Sequence, residues 1–275
     1  IILGGWSGGG SLSLFYQSQA ENPSITETPA GDPIDLISQK FIPADGMMLI
    51  AAHESRHRTF TEWIDGSVND EINPEDRDKE LDIYNRDNPN QPEYSEDFIT
   101  TYRAAQIQRN RNITYWVQQK LEDYAKHGQK NREFGFVVHR TMADPKWLDV
   151  TIDPNGRRPN WCFLGEPEVV NNSPIGLGRY CSLRSWLSQW SYDLAQGDGL
   201  TCAKNISIPS LVIGNSDDDG ITPSHTKNLY NSIGHENKSL EWIEGANHYY
   251  FGQPEKSNQS ATVCKNWLER MNLIS

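Results

Sequence analysis

The chain has 275 residues and a formal net charge of −12, with 36% apolar and 23% charged residues. That length can bury one sizeable core plus an elaboration, and that charge excludes nucleic acid and anionic membrane surfaces as principal partners, since both need basic patches. No apolar run approaches the roughly 20 residues of a spanning helix, so no membrane span is expected.

Ile1-Ile2-Leu3 reads as the end of a buried strand, and the chain opens on it without an initiator Met. This reads as part of a longer or processed chain, which leaves its compartment illegible. Gly4 to Gly10 forms a tight turn, and residues 11–21 carry Leu12, Phe15 and Tyr16 at helical spacing until Asn22-Pro23 stops them. Asp45-Gly46 then precedes residues 47–52, a continuous apolar run of the kind that forms a central strand covered on both faces.

The composition changes after about residue 55. Residues 59–94 are dense in Asp, Glu, Asn and Pro, which favour turns. Ser95 is placed to N-cap a long helix with Glu96 and Asp97 in its first turn, closed by His127-Gly128. Arg109-Asn110-Arg111, the nearest approach to a basic patch, fits a solvated face of that helix. Residues 134–139 read as a strand, and residues 143–172 return to Pro, Asn and Asp with Trp147 and Trp161 interspersed.

Core character returns with the helical stripe Leu183, Trp186, Leu187 and Trp190. Residues 209–213 read as a strand, 228–233 as a helix and 240–243 as a strand. A last helix aligns Val263, Trp267, Leu268 and Met271. Strands alternating with helices imply an α/β fold, a mostly parallel sheet flanked by helices. Cys162, Cys181, Cys202 and Cys264 form no CxxC or zinc spacing and read as reduced or buried thiols. Glycosylation sequons at Asn112, Asn171, Asn205, Asn237 and Asn258 are near what chance supplies and carry little about secretion.

Gly5-Trp6-Ser7-Gly8-Gly9 fits G-x-S-x-G between a strand and a helix. A serine there sits on a strained turn, flanked by glycines where a Cβ would collide with backbone. The N–H of Gly8 and the positive end of the helix would face a developing oxyanion. The hydroxyl needs a base, and the base needs an orienting carboxylate. Asp219-Gly220-Ile221-Thr222-Pro223 follows one strand, and Gly245-Ala246-Asn247-His248 follows the last.

On these three stretches the chain resembles the α/β-hydrolase family, whose order is Ser, acid, His. The resemblance implies Ser7 as nucleophile, Asp219 as acid, His248 as base and Gly8 as oxyanion donor, with Asp217 and Asp218 as rivals for the acid. It implies a serine hydrolase acting on a small carboxylic ester, less readily an amide, with no cofactor and no metal. Trp6 and Tyr249 are the candidates to border the substrate; Tyr249 and Tyr250, next to the histidine, also fit a structural role. The core would comprise residues 1–55 and 180–275, incomplete at its N-terminus, with an inserted lid over 56–179. The strands preceding the nucleophile, and the loop giving a second oxyanion N–H, would lie upstream of Ile1. Aromatic residues of the lid (Trp63, Tyr102, Trp116, Trp147, Trp161) are expected mostly to pack within it.

His53-Glu54-Ser55-Arg56-His57 also matches H-E-x-x-H. On a helix this spacing puts both imidazoles on one face with Glu54 as general base, as in zinc peptidases, and Glu71, Glu75 or Glu80 could be a third ligand. The run of residues 47–52 reads as a strand, however, and a zinc site leaves Ser7, Asp219 and His248 unexplained. A third reading is a hydrolase-like binding scaffold without turnover, whose mark would be a Ser7 hydroxyl that never approaches His248.

Overall fold

The computed structural model describes residues 1–274. Four strands, β1 (Ile2–Trp6), β2 (Gly46–Ile50), β5 (Ser210–Asn215) and β6 (Lys238–Ile243), form one sheet in the order β1-β2-β5-β6. All its neighbours run parallel, with Trp6 beside Ile50, Ile50 beside Ile213 and Asn215 beside Ile243. The fold is of the α/β class.

The apolar runs form central strands because each face has a cover. Met47, Leu49 and Val212 pack with Leu14 of α1 (Gly8–Glu21), Ala203 of α6 (Gly199–Ala203) and Leu229 of α7 (Pro223–Ser232). Met48, Ile50, Leu211 and Ile213 point the other way, onto Val263, Trp267 and Leu268 of α8 (Pro254–Arg270) and onto Met271 at its C-cap. Alternate residues of one strand thus feed two cores, and every residue of β5 is buried. Parallel strands with helical returns bring the ends of β1, β5 and β6 to a single edge of the sheet.

Between β2 and β5 the chain builds a second layer. It comprises α2 (Arg56–Trp63), the long α3 (Glu96–Lys126), β3 (Gly135–Val137), α4 (Pro167–Asn172), β4 (Tyr180–Ser182) and α5 (Leu183–Gln189). Ser95 caps α3 by accepting from the Phe98 N–H, and Gly128 just beyond it takes a positive φ of 73°. The turn-rich stretch nevertheless begins inside α2, whose Phe60 joins Ile113, Val117, Val138 and Trp186 in a separate core.

Two expectations change here. Core character at residue 180 does not belong to the main sheet, because β4 pairs antiparallel with β3 and the Leu183, Trp186, Leu187 and Trp190 stripe packs on α2 and α3. The neck of the second layer is instead Ser55 and Asp198, joined by an isolated antiparallel bridge. The Ser55 hydroxyl donates to Asp198 at 3.1 Å and accepts from the Gly199 N–H at 2.9 Å. Gly199 is required at that crossing, since a Cβ would lie 2.0 Å from the Glu54 carbonyl oxygen. Arg109, expected on a solvated face, is buried, bidentate to Glu71 and bonded to the carbonyls of Asp65, His139 and Arg140. Its neighbour Arg111 does face outward, paired with Asp193.

The four cysteines are free, three of them buried, and burial pushes the Cys181 thiol up to about 12. No helix among the described residues is long and apolar enough to cross a membrane.

Candidate active site at the sheet edge

Ser7 stands in the turn between β1 and α1 at φ 51° and ψ −122°, a left-handed conformation that costs a non-glycine residue on the order of 1–3 kcal/mol. The turn is held there. Its N–H donates to the Ile50 carbonyl at 3.2 Å, and its own carbonyl accepts from the Gly10 N–H at 3.1 Å. A Cβ on Gly5 would meet the Gly10 Cα at 2.7 Å, and one on Gly10 would meet the Ala52 Cβ at 2.5 Å. Gly9, which completes the G-x-S-x-G pattern, has open space instead. The sterically required pair is therefore Gly5 and Gly10.

His248 lies in the loop after β6, buried and fixed on several sides. Its carbonyl accepts from the Trp6 indole at 3.2 Å, and the neighbouring Asn247 carbonyl accepts from the Asn215 amide at 2.8 Å. Tyr250 is buried, with its hydroxyl donating to Asn215 at 3.0 Å. The imidazole Nε2 lies 3.0 Å from Ser7 Oγ. A hydroxyl that never approached His248, the mark set for a scaffold without turnover, is not what the chain has.

The carboxylate on the far side of the ring is Asp218, not the expected Asp219. Nδ1 of His248 is 3.0 Å from each Asp218 oxygen, and Oδ1 of Asp218 also accepts the N–H groups of Gly220 at 2.8 Å and Ile221 at 2.6 Å. Those two N–H groups turn Asp218 inward, where it is as buried as the histidine. Asp219 points elsewhere. Its carboxylate accepts the backbone N–H of His248 at 3.2 Å, and its carbonyl accepts the Trp147 indole at 2.9 Å. Burial, and then the charge of Asp218, raise the pKa of Asp219. Asp217 faces Ser216 and the Gly156 loop.

Around the pair stands an aromatic wall. The ring of Tyr249 meets His248 edge-on at 4.4 Å, Trp6 lies 6.4 Å from Tyr249, and Phe163 lies 5.4 Å from His248. Tyr249 is 53% exposed and Trp6 half-buried. Phe163 comes from the second layer and was missed, because nothing local distinguishes it from its aromatic neighbours. Trp63 and Trp147 pack with Met142, Cys162 and Ile221, and Tyr102 is buried with its hydroxyl on the Ala143 carbonyl. Trp116 packs on Phe134 and Phe136, and Trp161 under Arg158. Ile221 sits three residues beyond Asp218, so the second layer is anchored directly on the loop that carries Asp218.

The H-E-x-x-H stretch is not helical throughout. Ser55 is extended at φ −161°, and α2 begins only at Arg56, so His53 is off the helix that carries His57. His57 lies 3.6 Å from Asp198, and burial pulls its pKa down to about 4. Glu54 accepts from the Asn228 amide, and Glu71 is bound to Arg109. Among the described residues no group of three or more His, Cys, Asp or Glu is arranged to hold a metal ion.

No family model matches the sequence, and no curated protein matches it. Among solved structures the chain is similar to the monoacylglycerol lipase of Paleococcus ferrophilus, with a TM-score of 0.43 and 12% identity over 98% of this chain and 68% of that one. It is also similar to MenH from S. aureus, with a TM-score of 0.39 and 14% identity over 99% of this chain and 69% of that one. Neither likeness bears on activity, which rests on the residues around Ser7.

Proposed function

We propose that the protein is a serine hydrolase of the α/β-hydrolase kind that cleaves a small carboxylic ester, and less readily an amide, through an acyl-enzyme. The observation that carries this reading is the continuous line from Ser7 Oγ through His248 Nε2 and Nδ1 to Asp218, with 3.0 Å at each junction.

In this reading Ser7 Oγ attacks the ester carbonyl while Nε2 takes the hydroxyl proton. The imidazolium that forms is held by Asp218, which also fixes the tautomer with hydrogen on Nδ1. The oxyanion sits at the N-terminus of α1, where the Gly8 N–H and the positive end of the helix stabilise it. The tetrahedral intermediate collapses as Nε2 returns its proton to the alcohol oxygen, which leaves. Water, giving its proton to the same nitrogen, then attacks the acyl carbon, and Nε2 passes that proton to Ser7 Oγ as the carboxylic acid leaves. Asp219 is a positioning residue, acting through the backbone N–H of His248.

The two-layer division is part of the proposal: residues 1–55 and 198–275 as the catalytic layer, with 56–197 as a lid that contributes Phe163 to the wall. It requires no cofactor. The test is hydrolysis of 4-nitrophenyl acetate by the wild type and by Ser7→Ala, with circular dichroism to establish that both fold. Loss of turnover in Ser7→Ala supports the reading, and equal turnover in the two ends it.

A further inference from the structure

The H-E-x-x-H stretch is left over once metal binding is set aside, and it lies against the nucleophile turn. A Cβ on Gly8, the residue directly after Ser7, would be 3.1 Å from His53 Nε2 and 3.3 Å from Arg56 Nε. The missing side chain therefore leaves an imidazole and a guanidinium facing the turn that carries the reacting hydroxyl.

Among the described residues neither group is fully paired, and Arg56 meets no acid. The chain has 37 acidic residues against 25 Lys and Arg, and its other charged groups in this layer are mostly paired: Arg58 with Asp198, Arg103 with Asp144, Lys146 with Glu62. Arg56 donates instead to the neutral amide of Gln189 at 2.7 Å and lies over the ring of Trp190. Among the described residues it forms no ion pair, and its buried Nε has no partner. Burial lowers its pKa, and no neighbouring acid opposes that shift. His53 is 2% exposed and, among the described residues, its buried Nδ1 makes no hydrogen bond of normal geometry; burial, then His225, His248 and Arg56, lower its pKa, against a smaller opposing effect of the Ser55 backbone. Arg56 is half-buried, and a guanidinium withdrawn in part from water with no acid beside it favours an anion, whose planar carboxylate fits its fork.

We propose that Arg56 and His53 form an anion-accepting corner beside Ser7, and that the natural ester carries a carboxylate a few bonds from its scissile carbonyl. This rests on the serine-hydrolase reading and narrows its substrate class. Arg56 supplies the charge, while His53, held neutral by burial, supplies a hydrogen bond. The missing counter-ion then arrives with the substrate, and neutral esters leave the corner empty.

The test compares two fluorophosphonates of equal chain length, one ending in a methyl group and one in a carboxylate, by their rates of labelling Ser7. Wild type should react with the carboxylate probe roughly tenfold to a hundredfold faster, the range expected of a charge-assisted hydrogen bond. Arg56→Gln should bring the ratio close to one, and Arg56→Lys should keep part of it. Equal wild-type rates with both probes overturn the corner while leaving the hydrolase reading intact, and this result decides the matter even if Arg56→Gln fails to fold. A preference that survives in Arg56→Gln removes Arg56 from the role. Failure of both probes to label Ser7 ends the hydrolase reading and the corner with it.

Discussion

The imidazole of His248 holds both oxygens of Asp218 at 3.0 Å, while Asp219, the next residue, holds the backbone N–H of the same histidine at 3.2 Å. Two adjacent carboxylates thus grip one residue, the first by its ring and the second by its main chain. The reading of the site assigns them different work, and their variants should separate accordingly.

Asp218→Asn should lower kcat/KM for a nitrophenyl ester by on the order of 1000- to 10,000-fold, because the amide leaves the geometry in place but favours the wrong tautomer. Asp219→Asn keeps an oxygen for the His248 N–H and should cost less than about tenfold. Steady-state kinetics on the two variants decides between them. The opposite ranking would return the acid to Asp219.

The turn at Ser7 makes an equally sharp prediction about its glycines. Gly10→Ala drives a Cβ to 2.5 Å from that of Ala52, so it should displace α1 and abolish activity. Gly9→Ala meets nothing within 4 Å and lies in the first turn of α1, so stability should change by less than about 1 kcal/mol. Urea midpoints and esterase rates of the two variants provide the check.

How far the site could be read from residues alone follows from these details. The order of strands, the turn at Ser7 and the His248 loop were legible because each rests on an apolar run ended by glycine-rich or polar punctuation. The choice between Asp218 and Asp219 was not, since it depends on which carboxylate the Gly220 and Ile221 N–H groups turn inward. A register to Pro223 does not encode that. The apolar stripe of α5 was legible as a helix but not as belonging to the second layer, because periodicity reports a buried face and not what covers it. Arg109 was misjudged for the complementary reason: its partners are mostly carbonyls of distant loops.

The second layer has its own core, and Trp186 is fully buried at its centre, with its indole donating to Thr114 at 2.9 Å. Trp186→Ala should destabilise the fold by about 3–5 kcal/mol through the cavity it leaves. The loss should appear as a lower urea midpoint in denaturation followed by circular dichroism.

The neck at Ser55 and Asp198 should be sensitive to acid. Burial lowers the pKa of His57 from 6.5 to about 4, so between those values the unfolded chain binds a proton that the folded chain refuses. Stability from this group is therefore complete above pH 6.5 and is lost as the pH falls through 4, by at most about 3.4 kcal/mol at 1.36 kcal/mol per unit. His57→Gln should flatten the dependence of the urea midpoint on pH across that window.

Intact-mass spectrometry after treatment with a neutral alkyl fluorophosphonate, followed by peptide mapping, tests the central claim most directly. The account predicts one adduct, on the peptide carrying Ser7, formed rapidly by the wild type and at least 1000-fold more slowly by His248→Ala. An adduct elsewhere, an unmodified Ser7, or labelling that ignores the loss of the imidazole would contradict it.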